Sequence, residues 1–289
     1  MHEAKMKETC KTLKDGGCRS IHIGGGEPFL DFDGLLTLVK TAISFGIAVD
    51  YVETNASWVT SADDVVRKLN ALAKVGADTL CISVDPFHAE YIPYAQPLKL
   101  AEICRDIGFG YFLWQERFLR MMADTGAEVA HDRAALEKSI GRDYINATAR
   151  AYGLKIGGRA INIEAEYSTP KPLEAVLTDS PCRGLLSANH FHVDMYNRFI
   201  PPGCTGFAVP LPELVAGLEP GKYPAFEASF SGGVAGLYEL AVKNHGFEPE
   251  PEGYTSGCAL CFHIRRFLSK QEGYPELERE FYEQSLRYY

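Results

Sequence analysis

The chain has no apolar run approaching the length of a membrane span. Nor does it open on a secretion signal, because Met1 to Lys14 is charged and helix-like. Positive charge is in deficit, with a net charge of −9 and a pI near 5.4. That balance argues against nucleic acid as a partner, since phosphate binding needs a basic face. There is no internal repeat and no low-complexity tract. Cysteine is scarce, with eight in 289 residues, too few for a disulfide scaffold in a chain of this length. These absences predict a cytoplasmic globular protein without membrane or nucleic-acid partners. In a reducing compartment, clustered cysteines either ligate metal or pack as small hydrophobes. The composition, 46% hydrophobic and 23% charged, suffices for a real core.

The first part of the sequence alternates helical and strand patterns. Helices are expected over Glu3 to Lys14, Leu35 to Phe45, Ser61 to Val75 and Leu98 to Ile107. Ser61 followed by Asp64 resembles a capping box. Strands are expected over Arg19 to Ile23, Ile47 to Val52, Asp78 to Val84, Gly110 to Trp114 and Lys155 to Ile163. A longer helical region ending near Tyr152 precedes the last of these. Such alternation implies parallel strands with helices outside, an α/β fold. Five strands are too few for a full eight-stranded barrel, and a helix stands where a strand normally comes first. The expectation is therefore a partial (β/α)6 TIM-like barrel over residues 1–166, lacking its first strand. Beyond Glu166 prolines and glycines multiply, in TPKP, IPPG, VPLP and PEPEG. There a hairpin pairing His190 to Met195 with Arg198 to Ile200 is expected, turning at Tyr196-Asn197, and a CxxC loop leads into a helix at Gly257 to Leu268. Residues 167–289 thus read as a second, loop-rich module of the kind usually held by metal.

Small or polar residues follow each expected strand. Gly24-Gly25-Gly26-Glu27-Pro28 follows the first and Glu53-Thr54-Asn55 the second. Ser83, Asp85 and His88 lie in and after the third, Gln115 and Glu116 after the fourth, and Arg159 beside Gly157-Gly158. In parallel barrels the carboxyl ends of the strands build the active site, so these clusters point to one shared site. Glycines let backbone approach a ligand, Glu27 suits an ammonium, Ser83 and Asp85 suit hydroxyls, and Arg159 suits a carboxylate. Each also has a blander reading: a glycine turn, an Asp-Pro turn, a loop histidine. Trp114, Glu116, Phe191 and Tyr196 read as packing or surface residues before pocket residues.

In order and spacing, IHIGGGEPFL, VETNAS, ISVDPFHAEYIP and GRA resemble the radical S-adenosyl-L-methionine (SAM) superfamily. The resemblance covers about the first 165 residues. It implies SAM contacts at Gly25, Gly26, Glu27, Pro28, Asn55, Ser83, Asp85 and Arg159. The second part is similar to the twitch module, a short relative of the SPASM extension. Cys182 and Cys204 bracket the hairpin, and Cys258 and Cys261 form CALC. The resemblance implies that these four thiolates hold a 4Fe-4S auxiliary cluster, which soft sulfur donors suit. Structural zinc accepts the same donors, although zinc ribbons usually carry two CxxC knuckles and only one is present. Cys10, Cys18, Cys81 and Cys104 read as buried small hydrophobes.

The family's CxxxCxxC, which holds the catalytic cluster, is absent from these residues. The missing first strand and the missing motif are expected to be one omission, a truncation at the N-terminus. The resemblance implies radical hydrogen abstraction from a peptide or small-molecule substrate, with a ferredoxin or flavodoxin as reductant. The chain alone is expected not to initiate that chemistry. Two other classes compete: a non-catalytic scaffold with a four-cysteine zinc knot, and an α/β hydrolase or lyase using Glu27, Asp85 and His88.

Overall fold

A computed structural model describes residues 1–289 apart from 115, 123–124, 143, 145–146, 148–166, 178–180, 188 and 285–289. The chain forms two compact units, Met1–Tyr144 and Ile145–Tyr289. The boundary read from composition, at Glu166, falls inside the second unit and outside the described residues.

The first unit is α/β. Strands β1 (Ser20–Ile23), β2 (Ala48–Thr54), β3 (Thr79–Ser83) and β4 (Gly110–Trp114) form one parallel sheet in the order β1-β2-β3-β4. Between them run α1 (Glu3–Asp15, ahead of β1), α2 (Phe32–Ser44), α3 (Ala62–Val75), α4 (Pro86–Ala89) and α5 (Ala95–Ile107). Among the described residues the sheet is open and no barrel closes. The fifth expected strand, Lys155 to Ile163, lies outside the described residues. The expected long helical region is instead two short helices, α6 (Arg117–Met122) and α7 (Arg133–Ile140), as far as it is described. Gly126 at φ +85° and the N-cap Asp132, which accepts from the Ala135 amide, separate them.

Local chemistry accounts for these elements. Ser61 caps α3 by accepting from the Asp64 amide, and Gly76 ends it at φ 106°. Val65, Leu69 and Leu72 form a fully buried stripe at helical spacing; each stabilises the unit by about 1.5–3 kcal/mol. In-register Ile23, Val52 and Leu80 are buried on one face of the sheet. His22, Tyr51 and Phe112 alternate onto the other, where His22 stacks on Tyr51 at 4.9 Å and Tyr51 meets Phe112 edge-on at 5.2 Å. Strands in sequence order with right-handed crossovers place their helices on one face. The packing of α1 on α2, α2 on α3 and α3 on α5 follows from that rule.

The second unit holds a small antiparallel sheet of β5 (His192–Val193), β6 (Arg198–Ile200) and β7 (Val209–Pro210). The hairpin has the expected partners, with His192 opposite Ile200 and Val193 opposite Phe199. Asn197 turns it at φ 66°, and the Asp194 carboxylate accepts from the Tyr196 and Arg198 amides. The helices are α8 (Leu173–Val176), α9 (Leu211–Ala216), α10 (Pro224–His245), α11 (Gly257–Leu268) and α12 (Arg279–Gln284). Helix α10 kinks at Gly233, whose φ of 63° and ψ of −150° interrupt the hydrogen-bond ladder. The CxxC is helical, not a loop before a helix: Ser256 caps α11, and Cys258 and Cys261 occupy its first turns.

Candidate functional site

The polar clusters of the first unit gather at the carboxyl edge of the sheet. Leaving β1, the chain passes through Gly25 at φ 83° and Gly26 at φ 53°, where a side chain would be strained. No atom lies within 4 Å of where a Cβ would sit on either residue, so their backbone is open to approach. Pro28 then starts a 3-10 turn, Pro28–Asp31, capped by Glu27.

Glu27 ties this loop to the end of β2. Its carboxylate accepts from the Phe29 amide at 3.1 Å, the Thr54 hydroxyl at 2.9 Å and the Asn55 amide at 2.8 Å. Thr54 in turn accepts from the Trp58 indole at 2.9 Å, and Trp58 stacks on Phe29 at 4.1 Å. Burial raises the Glu27 pKa, against the lowering effect of its three donors and of His88. Three of the carboxylate's lone pairs are thus engaged within the protein, and a ligand ammonium would meet what remains.

At the end of β3, Asp85 caps α4 by accepting from the Phe87 amide at 2.9 Å and the His88 amide at 3.0 Å. Its other oxygen meets His88 Nδ1 at 2.6 Å. Burial disfavours the charged imidazole, but the Asp85 hydrogen bond and the charges of Asp85 and Glu27 prevail, so the His88 pKa is raised. Asn55, Ser83, Asp85, His88 and Tyr94 line a small open cleft with enclosed room for about one water molecule. Asn55 uses its side-chain oxygen locally, accepting from the Ser57 amide at 2.9 Å. Arg159 and Gln115 lie outside the described residues. Trp114 is half-exposed and Glu116 exposed.

Among the described residues no disulfide joins any of the eight cysteines, four of which lie in each unit. Cys10, Cys81 and Cys104 are buried, and burial pushes the thiols of Cys81 and Cys104 up to about 12. Cys18 donates to the Ser20 carbonyl at 3.2 Å. These four behave as packing residues. The other four differ: Cys182 and Cys258 are exposed, and Cys204 and Cys261 half-buried. Cys204 and Cys261 both lie near the buried Arg265: it follows Cys261 by four residues on α11 and donates to the carbonyl of Thr205, the residue after Cys204. Cys258 lies one turn before Cys261 on α11, and the Cys182 amide donates to the Ser229 carbonyl of α10, at 3.2 Å. Four thiolates around one zinc sit about 3.8 Å apart, from a bond length near 2.3 Å. Among the described residues no three of these sulfurs lie within 4.8 Å of one another. Phe191 packs on Phe199 at 5.2 Å, and Tyr196 is exposed beneath Arg198.

Three important residues escape a reading of motifs. Thr54 stood beside the noted Asn55 without a role of its own. Arg265 follows Cys261 by four residues, a helix-face spacing that would have flagged it. Glu276 accepts from the Ala225 amide at 2.6 Å and the Phe226 amide at 3.2 Å, capping α10 from about fifty residues away, and nothing local signals it. No protein-family model matches the chain, and no curated protein matches it.

Proposed function

We propose that this chain is part of a radical SAM enzyme, carrying the SAM-facing edge of a TIM-like barrel and an auxiliary 4Fe-4S module. The observation that carries the reading is the open Gly25 and Gly26 backbone, held in place by the Glu27 tether. The tether closes the GGGEP loop onto Thr54 and Asn55 beside Ser83 and Asp85, leaving the Gly25 and Gly26 backbone accessible. The sequential strand order supports the barrel, because it is the order in which parallel barrels grow. Cys182, Cys204, Cys258 and Cys261 are the cluster ligands in this reading.

Bound and reduced by one electron, SAM supplies a hydrogen-abstracting radical; the protein's part is placement. Gly25 and Gly26 offer backbone groups to the methionine end. Ser83 and Asn55 face the cleft with hydroxyl and amide groups suited to ribose oxygens. Asp85 fixes the α4 turn and orients His88. The substrate is a peptide or small molecule, and the reductant a ferredoxin- or flavodoxin-like donor. The CxxxCxxC that holds a catalytic cluster is not among these residues, so no initiation step is assigned to them.

The test is anaerobic reconstitution with iron and sulfide, followed by metal analysis and amide NMR with added SAM. The reading expects about four irons per chain, and shifts at Gly25, Gly26, Asn55 and Ser83. One zinc and no iron, or unmoved amides, refutes it. A second reading, a hydrolase or lyase, draws on the 2.6 Å Asp85–His88 pair. It requires activity that survives oxygen and Cys258→Ala.

A further inference from the structure

Arg265 sits on α11 one turn beyond Cys261 and on the same helix face. It is only 3% exposed. The Phe207 ring lies 4.6 Å from its guanidinium, with Phe262 at 5.8 Å and Tyr282 at 5.9 Å. Its Nη1 donates to the Thr205 carbonyl at 2.6 Å and the Tyr282 hydroxyl at 3.2 Å, while its Nε has no acceptor. Among the described residues no carboxylate pairs with it. Arg198 in the same unit shows the ordinary arrangement, paired with both Asp194 and Glu278.

A cation taken from water and given only neutral acceptors is strongly unfavourable. A methionine would fill the same aromatic cage without that cost. The two sulfurs are its neighbours: Cys261 lies one turn before it on α11, and the Thr205 carbonyl that its Nη1 binds belongs to the residue after Cys204. As thiols these are weak partners. As thiolates on a metal cluster they belong to an anion whose negative charge grows by one on reduction.

We propose that Arg265 is the counter-charge of the thiolate-bound cluster seated on Cys204 and Cys261, and that it sets the cluster's reduction potential. The proposal rests on the cysteine reading above. A fixed positive charge beside the sulfurs stabilises the reduced form more than the oxidised one and so raises the potential. Arg265 acts through the ligands and is a positioning residue.

The test uses the full chain, reconstituted anaerobically with iron and sulfide, as wild type, Arg265→Gln and Arg265→Lys. Circular dichroism checks the fold, metal analysis counts iron, and an EPR-monitored titration with dithionite as electron donor reads the potential. Arg265→Gln keeps a donor for the Thr205 carbonyl and removes the charge. It should load iron but be at least tenfold harder to reduce, a shift of about 59 mV to more negative potential for one electron. Arg265→Lys should load like wild type and stay within about threefold of it, roughly 30 mV on the same scale. If wild type takes up no iron, the cysteine reading falls and this proposal with it. If wild type loads and Arg265→Gln has an unchanged potential, the Arg265 proposal falls alone. Should Arg265→Gln fail to fold, Arg265→Lys decides: normal loading upholds the charge, and failure of both shows a role in packing only.

Discussion

Replacing Glu27 by Ala tests whether the carboxyl edge of the first unit is held together as described. The change removes one acceptor group and strands three donors: the Phe29 amide, the Asn55 amide and the Thr54 hydroxyl. A hydrogen bond contributes about 1 kcal/mol net, and a donor left in a half-buried place loses at least that. Three such losses approach about 3 kcal/mol, and relief from burying the carboxylate's charge offsets part, leaving about 2 kcal/mol. In a unit of this size that lowers the unfolding midpoint by about 4–8 °C. The pH dependence has a definite sign. Burial raises the folded-state pKa of Glu27 above its ordinary 4.5. Its stabilising contribution is therefore full below the unfolded pKa and declines as pH rises through the folded one. Glu27→Ala should cost more at pH 4 than at pH 7, and the variant should lack wild type's decline between them. Thermal unfolding followed by circular dichroism at several pH values reads both effects. A double-mutant cycle with Thr54→Val should show coupling of about 1 kcal/mol. Stability within about 0.5 kcal/mol of wild type, with no coupling, refutes the tether and the site argument built on it.

Asp85→Asn should lower the His88 titration midpoint in NMR, because the Asp85 hydrogen bond and charge hold it above 6.5; an unmoved midpoint contradicts the 2.6 Å contact. In wild type the stability due to His88 is present below its unfolded pKa and lost as pH rises through the raised one. Gly206→Ala should destabilise the second unit by about 2–4 kcal/mol in denaturant unfolding. Gly206 has φ 93°, and a Cβ there would meet Phe281 and the Tyr282 hydroxyl, each at 2.7 Å. A near-neutral result shows that this corner can yield.

What was legible in the sequence is what local chemistry dictates. Ser61 marks the start of α3, and the repeated succession of helical and strand patterns reads as parallel strands with helices outside. The hairpin from His192 to Ile200 followed from Asn197 and its flanking pattern. The CxxC read as a loop because Gly257 and two cysteines are poor helix signals; the Ser256 cap and the packing of α11 on α10 override them. Glu27 read as a ligand group because its chemistry suits one, yet its partners are the protein's own groups: the Phe29 amide two residues on, and Thr54 and the Asn55 amide about twenty-eight residues on. Long-range partners of this kind leave no spacing to find. Arg265 is the instructive middle case: the helix period places it beside Cys261, but only the packed structure shows that it is buried with no carboxylate beside it among the described residues.

The sheet edge and the second unit differ in what their contacts require. At the sheet edge every conspicuous residue already has a structural occupation: Glu27 a tether, Asn55 a turn, Asp85 a helix cap. Those contacts would exist in a protein that bound nothing, so the edge alone is compatible with any parallel α/β chemistry. What it adds is the open glycine backbone beside them, which no packing need accounts for. In the second unit the balance is reversed. A fully packed guanidinium with an orphaned Nε and two sulfurs beside it is unfavourable as structure and becomes favourable when the sulfurs carry charge. The cluster reading thus rests on an imbalance in the fold itself. Arg265→Gln separates cause from coincidence more sharply than any change at Glu27 or Asp85, since in the metal-free chain it should raise stability and in the loaded chain lower it.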